Sequence, residues 1–183
     1  MKRKEIRIAG FGGQGVILAG LTLGRAAALY DNKYAVVSQS FGPEARGGAC
    51  AAEVVITEEP VDFPRVTEPS ALVVMSQEAY ELYARGRARP RDLLIDKDLV
   101  QVPQGTTPPP TAIPFTATAE HLGKKIVTNM VMLGALDGRT GVVSPESLKR
   151  AVADVVPAKA LELNMRAFER GFELGRASRG GSP

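Results

Sequence analysis

Apolar residues change their spacing several times along the chain, and each change marks an element. Residues 5–10 run Glu-Ile-Arg-Ile-Ala-Gly, the period-two alternation of a strand. Residues 14–30, QGVILAGLTLGRAAALY, are apolar nearly all round, which predicts a helix largely buried against the sheet or a partner. The turn Asp31-Asn32-Lys33 separates it from a second strand, YAVVSQS, at 34–40. Together these read as a β-α-β unit, right-handed, with its two strands as parallel neighbours.

Beyond this unit, FGPEARGG at 41–48 is broken by Gly42-Pro43 and Gly47-Gly48 and reads as a loop. ACAAEVVIT at 49–57 reads as a strand, and 58–69 as a surface connection rich in proline and acids. ALVVMS at 71–76 is continuously apolar, as expected for a strand covered on both faces. A helix over 77–86, a strand over 92–100 and a proline-rich extended segment over 101–115 follow. The last third is helical: 125–141, then a helix opened by Ser144-Pro145-Glu146 and running to about Val156, then 158–177. The fold class expected is α/β: one domain spanning 1–183, a Rossmann-like, mostly parallel sheet flanked by helices, with a helical C-terminal third. The tail 178–183 is expected to fray.

Composition narrows the chemistry. With 183 residues, 44% hydrophobic and 23% charged, the chain can bury a core without staples. The net charge of +3 is mild, and no basic stripe interleaved with aromatics suggests nucleic acid. The start, MKRKEIRIAG, is basic, and the densest positive run, Arg85, Arg87, Arg89 and Arg91, is readable as a solvated helix end. A single cysteine, Cys50, allows neither an intramolecular disulfide nor a four-thiolate cluster. A single histidine, His121, argues against a conventional zinc site or a His-based triad. No run of 18 apolar residues and no leader pattern occur, so a cytoplasmic protein without a membrane span is expected. No catalytic residue and no metal ligand is assigned.

Gly10, Gly12 and Gly15 satisfy G-x-G-x-x-G between a strand and a helix. Such a loop lets backbone N–H groups and a helix N-terminus approach an anion. A dinucleotide site also needs an acid at the end of the second strand. Here that strand ends Ser38-Gln39-Ser40. Gly13 and Gln14 are not requirements of that fingerprint, and Gln14 can donate and accept at once. The candidate contacts are Gly12, Gly13, Gln14, Gly15, Arg46 in the second loop, and Asn129 beside Thr128 at the start of an apolar helix. For each, a structural role in packing or capping competes with a ligand role. A free-standing dinucleotide-binding Rossmann module stands as the alternative function.

Three segments, GFGGQGV at 10–16, SFGPEARGGAC at 40–50 and TNMVMLGAL at 128–136, followed by Asn164-Met165-Arg166-Ala167-Phe168 and Gly171, together resemble the gamma subunit of 2-oxoacid:ferredoxin oxidoreductases. The spelling of the second loop and Phe11 are most like the 2-oxoglutarate branch. The resemblance implies a non-redox subunit of a complex that oxidatively decarboxylates 2-oxoglutarate, or a related 2-oxoacid, with coenzyme A to an acyl-CoA and carbon dioxide, reducing ferredoxin. It implies alpha and beta partners, with a delta subunit in some complexes, and it places thiamine diphosphate, magnesium and iron–sulfur clusters on those partners. This chain would bind no cofactor by itself, would be inactive in isolation and would self-associate there through its apolar first helix. Gly12, Gly13, Gln14, Gly15, Arg46 and Asn129 would face the cofactor or the coenzyme A path.

Overall fold

The computed structural model describes residues 3–41, 48–85 and 90–180. Six strands form one sheet: β1 (Lys4–Phe11), β2 (Tyr34–Phe41), β3 (Ala49–Thr57), β4 (Ala71–Val74), β5 (Asp92–Asp96) and β6 (Thr111–Ile113). Their order is β2-β3-β1-β4-β5-β6. The pairings β1–β4, β4–β5 and β5–β6 are parallel, whereas β3 runs antiparallel to both β1 and β2.

The sheet is therefore mixed, and the expectation that β1 and β2 are neighbours is corrected. The short connection from Phe41 to Ala49 returns the chain as a hairpin, and β3 fills the place beside β1. Because β1 and β2 both oppose β3, they still point the same way. Their carboxyl ends share one edge.

Helices cover both faces unequally. α1 (Val16–Arg25) packs on β3 and β1, and α4 (Thr128–Thr140) on β4 and β5. α3 (Phe115–His121), α5 (Pro145–Val155) and α6 (Leu161–Ala177) extend that layer. Among the described residues, α2 (Gln77–Tyr83) is the one helix on the other face. The larger core joins Ile6, Ile8, Val54 and Ile56 to Leu23, Met130, Leu133 and Phe168, and the smaller joins Leu72 and Val74 to Ala79 and Tyr80.

α1 begins two residues later than the pattern suggests and ends in a π-turn, Ala26–Tyr30. Its inner side is fully buried, but Leu18, Leu21 and Leu29 stand 38%, 46% and 58% exposed. The all-round apolar pattern thus reflects a buried face plus an outward apolar stripe. The strand expected over 92–100 stops at Asp96, where the Asp96 carboxylate accepts the N–H of Asp98 and turns the chain. The proline-rich segment contains β6, and α3, absent from the sequence reading, follows it. Its first N–H groups are capped from outside the helix, Thr116 by Asp96 and Ala117 by Asp98. The tail is partly corrected: Ser178–Gly180 forms a 3-10 turn pinned by Arg139 donating to Ser178 O and Arg179 donating to Arg139 O.

α4 and α6 touch backbone to backbone. A Cβ on Gly134 would overlap Phe168 O, and one on Gly171 would overlap Val131 O. Gly138 and Gly175 repeat the contact a turn further on. Close approach of two backbones requires small residues at the crossing.

Candidate functional site

The carboxyl edge of the sheet gathers three chain segments. In register, Phe11 lies opposite Ala49, and Gly10 and Phe41 both lie opposite Cys50. The carboxyl ends of β1 and β2 therefore flank the start of β3, and the Gly10–Gly15 loop leaves the sheet there. α2 helps fix this junction, since Glu78 Oε1 accepts the N–H of Ala49 at 3.2 Å. Arg46 falls within 42–47, outside the described residues. Cys50 is buried, and burial pushes its thiol pKa up.

Gln14 holds the first loop together. Its Oε1 accepts the N–H of Phe11 at 2.6 Å, and its Nε2 donates to Met75 O at 2.8 Å, at the end of β4. Both ends of the amide are engaged within the chain. The sequence reading expected Gln14 to serve an external group; the structure gives it the work of tying the loop to β4. The glutamine just ahead of the helix was the signal, and its partner, a backbone carbonyl, has no signature in sequence.

Gly15 and Gly12 owe their glycine to different causes. Gly15 has φ +73°, and a Cβ there would stand 2.5 Å from Asn129 Nδ2. Gly12 has no such constraint: nothing lies within 4 Å of where its Cβ would be. Gly12 and Gly13 are exposed on the outer rim of the loop. α1 starts behind them with no side-chain cap and no acid in its first turn, so its N-terminal partial charge faces the loop unopposed.

Asn129 closes the back of this region. It is 5% exposed, sits one residue into α4, and its amide makes no hydrogen bond with a described residue. Thr128, beside it, turns its hydroxyl back to Lys125 O at 2.6 Å. One turn earlier Ile126 stands 81% exposed, and across the loop Phe11 is 43% exposed. The edge thus combines glycine backbone, a buried amide and an apolar rim. His121 lies on α3 and bonds Ala117 O through Nδ1 at 2.9 Å, and it joins no cluster here. Among the described residues no helix is long and apolar enough to cross a membrane.

This arrangement does not repeat a dinucleotide site. There the strand beside β1 is parallel and ends on an acid that reaches the ribose. Here one neighbour is antiparallel β3, whose first residue, Ala49, stands at that edge, and the parallel neighbour, β4, runs on into Met75-Ser76 with no acid.

A family model for pyruvate ferredoxin/flavodoxin oxidoreductase matches residues 5–174. The chain belongs to this family. Within it, the chain is 52% identical over 177 residues to the 2-oxoglutarate synthase subunit KorC of Methanocaldococcus jannaschii, covering 95% of each. Its fold matches the crystal structure of the keto/oxoacid ferredoxin oxidoreductase gamma subunit from Geobacter sulfurreducens with a TM-score of 0.86 at 45% identity, over 97% of this chain and 98% of that one. A 2-oxoglutarate:ferredoxin oxidoreductase from Magnetococcus marinus, solved with 2-oxoglutarate, coenzyme A and succinyl-CoA bound, matches at TM-score 0.86 and 25% identity. All of this chain aligns there with 32% of a longer polypeptide. The family's fold can thus stand alone or as one part of a larger chain.

Proposed function

We propose that the chain is the gamma subunit of a 2-oxoglutarate:ferredoxin oxidoreductase and helps bind coenzyme A for oxidative decarboxylation to succinyl-CoA and carbon dioxide. The observation that carries the site is Gly12. It has neither the φ nor the crowding that demands glycine, so the empty space over it is room for a group arriving from outside. The uncapped start of α1 suits an anionic part of that group, and the amide of Asn129 suits a polar part. Gly13 and Gly15 supply backbone beside it, Gln14 holds the loop in shape, and Arg46 pairs with a phosphate or a carboxylate.

The donor set of this chain does not fit the redox groups. One buried thiol cannot replace the four that hold an iron–sulfur cluster. Thiamine diphosphate, magnesium and the clusters belong on alpha, beta and delta partners, with ferredoxin as the acceptor. The exposed Leu18, Leu21 and Leu29 and the rim residues Phe11 and Ile126 are the surfaces that meet those partners. One domain spans 1–183, and the complex works in the cytoplasm.

The test is capture of the tagged full chain from its native cells. Co-purification of a 2-oxoglutarate- and coenzyme A-dependent viologen reductase is the expected result. Capture without that activity, or turnover by this chain alone, overturns the reading.

A further inference from the structure

A cavity lies at the opposite edge of the sheet, where β1, β4 and β5 begin. Its volume is about 220 Å³, and Arg3, Lys4, Arg91, Ser70 and Thr140 provide its polar lining, with no carboxylate among the lining residues. It joins the two basic runs of the sequence, which are far apart along the chain. β1 spans eight residues, so this cavity is about 25 Å from the glycine loop.

The three cations differ in how they are held. Arg3 is fixed by three bonds, Nε to Glu5 at 2.7 Å, Nη1 to Phe63 O at 2.7 Å and Nη2 to Arg65 O at 2.8 Å. Arg91 gives its Nε to Asp92, at 3.0 Å, and its Nη groups bond no described residue. Lys4 has no carboxylate partner among the described residues. Its Nζ donates to Gly141 O at 3.1 Å, at the C-cap of α4. Burial, with the charges of Lys33 and Arg91, lowers its pKa. Paired ions are the rule when cations gather in a recess, because each raises the cost of charging the next. Glu5 and Asp92 already offset Arg3 and Arg91 from outside the lining, so an oxyanion would chiefly relieve Lys4, and the prior fixing of Arg3 removes part of the ordering cost of binding.

We infer that this cavity binds a small free oxyanion carrying two negative charges, a phosphate or a short dicarboxylate, held by Lys4, Arg91 and Arg3. The site is independent of the carboxyl edge and of the reaction proposed there.

The experiment is isothermal titration of the full chain with inorganic phosphate at neutral pH, chloride holding the ionic strength constant. One saturable site of millimolar affinity is expected. Lys4→Met and Arg91→Gln should each weaken it by about tenfold or more, while Asn129→Ala at the far edge leaves it unchanged. Succinate as competitor distinguishes the two sources: displacement assigns the site to oxyanions in general, and no displacement assigns it to phosphate. If Lys4→Met does not fold, Arg91→Gln decides, because its side chain is 77% exposed. No binding, or binding equal in wild type and Arg91→Gln, overturns the inference. No readout uses the oxidoreductase activity, so the two proposals fail separately.

Discussion

The amide of Asn129 stands 2.5 Å from the point a Cβ on Gly15 would occupy. The first loop and the start of α4 are therefore fitted to each other with no space for a methyl group. Gly15→Ala should cost about 2–4 kcal/mol, combining a left-handed φ with overlap. Denaturant unfolding checks the size. The double variant with Asn129→Ala should recover the overlap part, giving a coupling energy of about 1 kcal/mol or more in a mutant cycle.

Gly12 behaves in the opposite way. Gly12→Ala should leave stability within about 0.5 kcal/mol, since a new methyl meets nothing. In the assembled enzyme the same change should raise the KM for coenzyme A several-fold and leave that for the 2-oxoacid unchanged. Steady-state kinetics with each substrate varied separately is the measurement. Unaltered constants would reduce the loop to scaffold.

Gly171→Ala places a methyl group onto Val131 O. Backbone cannot yield as a side-chain tip does, so a loss above about 3 kcal/mol, or failure to accumulate soluble chain, is expected. Thermal melts of Gly171→Ala beside Gly12→Ala give the contrast.

Asp137 is 1% exposed, and its Oδ2 has no hydrogen-bond partner. Burial raises its pKa from 3.8 to about 6 against the pull of the Val143 N–H and of Arg179. A raised folded pKa means that its favourable contribution is complete below pH 3.8 and lost as pH rises through 6. The loss amounts to about 3 kcal/mol. Asp137→Asn should flatten the stability profile between pH 4 and 6, as read from denaturant midpoints at each pH.

Asp31 has the reverse sign. Burial alone would raise its pKa, but Ser147, Ser144 and Lys33 outweigh burial and lower it from 3.8 to about 2. Its oxygens accept the N–H and hydroxyl of Ser144, the N-cap of α5. That stability is present above pH 3.8 and lost as pH falls through 2. Asp31→Ala should cost about 1–2 kcal/mol at pH 7, and the deficit against wild type should shrink in acid.

Local signals in the sequence carried most of the elements. The alternation of Glu5 to Gly10 and the Ser144-Pro145-Glu146 cap are complete within a few residues, and both elements stand where expected. What escaped depends on distant partners. α3 is capped by Asp96 at the end of β5 and by Asp98 in the turn after it, so its own first turn holds no start signal. Strand order escaped because a β-α-β pattern does not reveal that a later hairpin will insert β3 beside β1. At the site, Gly12, Gly13, Gln14, Gly15 and Asn129 were all singled out from the sequence as candidate contacts, but the bracing work of Gln14 was not legible: its second partner is the carbonyl of Met75, and every residue has a carbonyl.

The glycine crossing of α4 and α6 also acts as a mechanical reference. Asn129 lies on the same helix as Val131 and Gly134, whose backbones rest against Gly171 and Phe168. With no side chains between the helices to rotate, α4 has no slack along which to slide. A displacement of about 1 Å at a reacting geometry is worth orders of magnitude in rate. Enlarging those glycines of α6 by the smallest step should thus shift Asn129 through the backbone of α4.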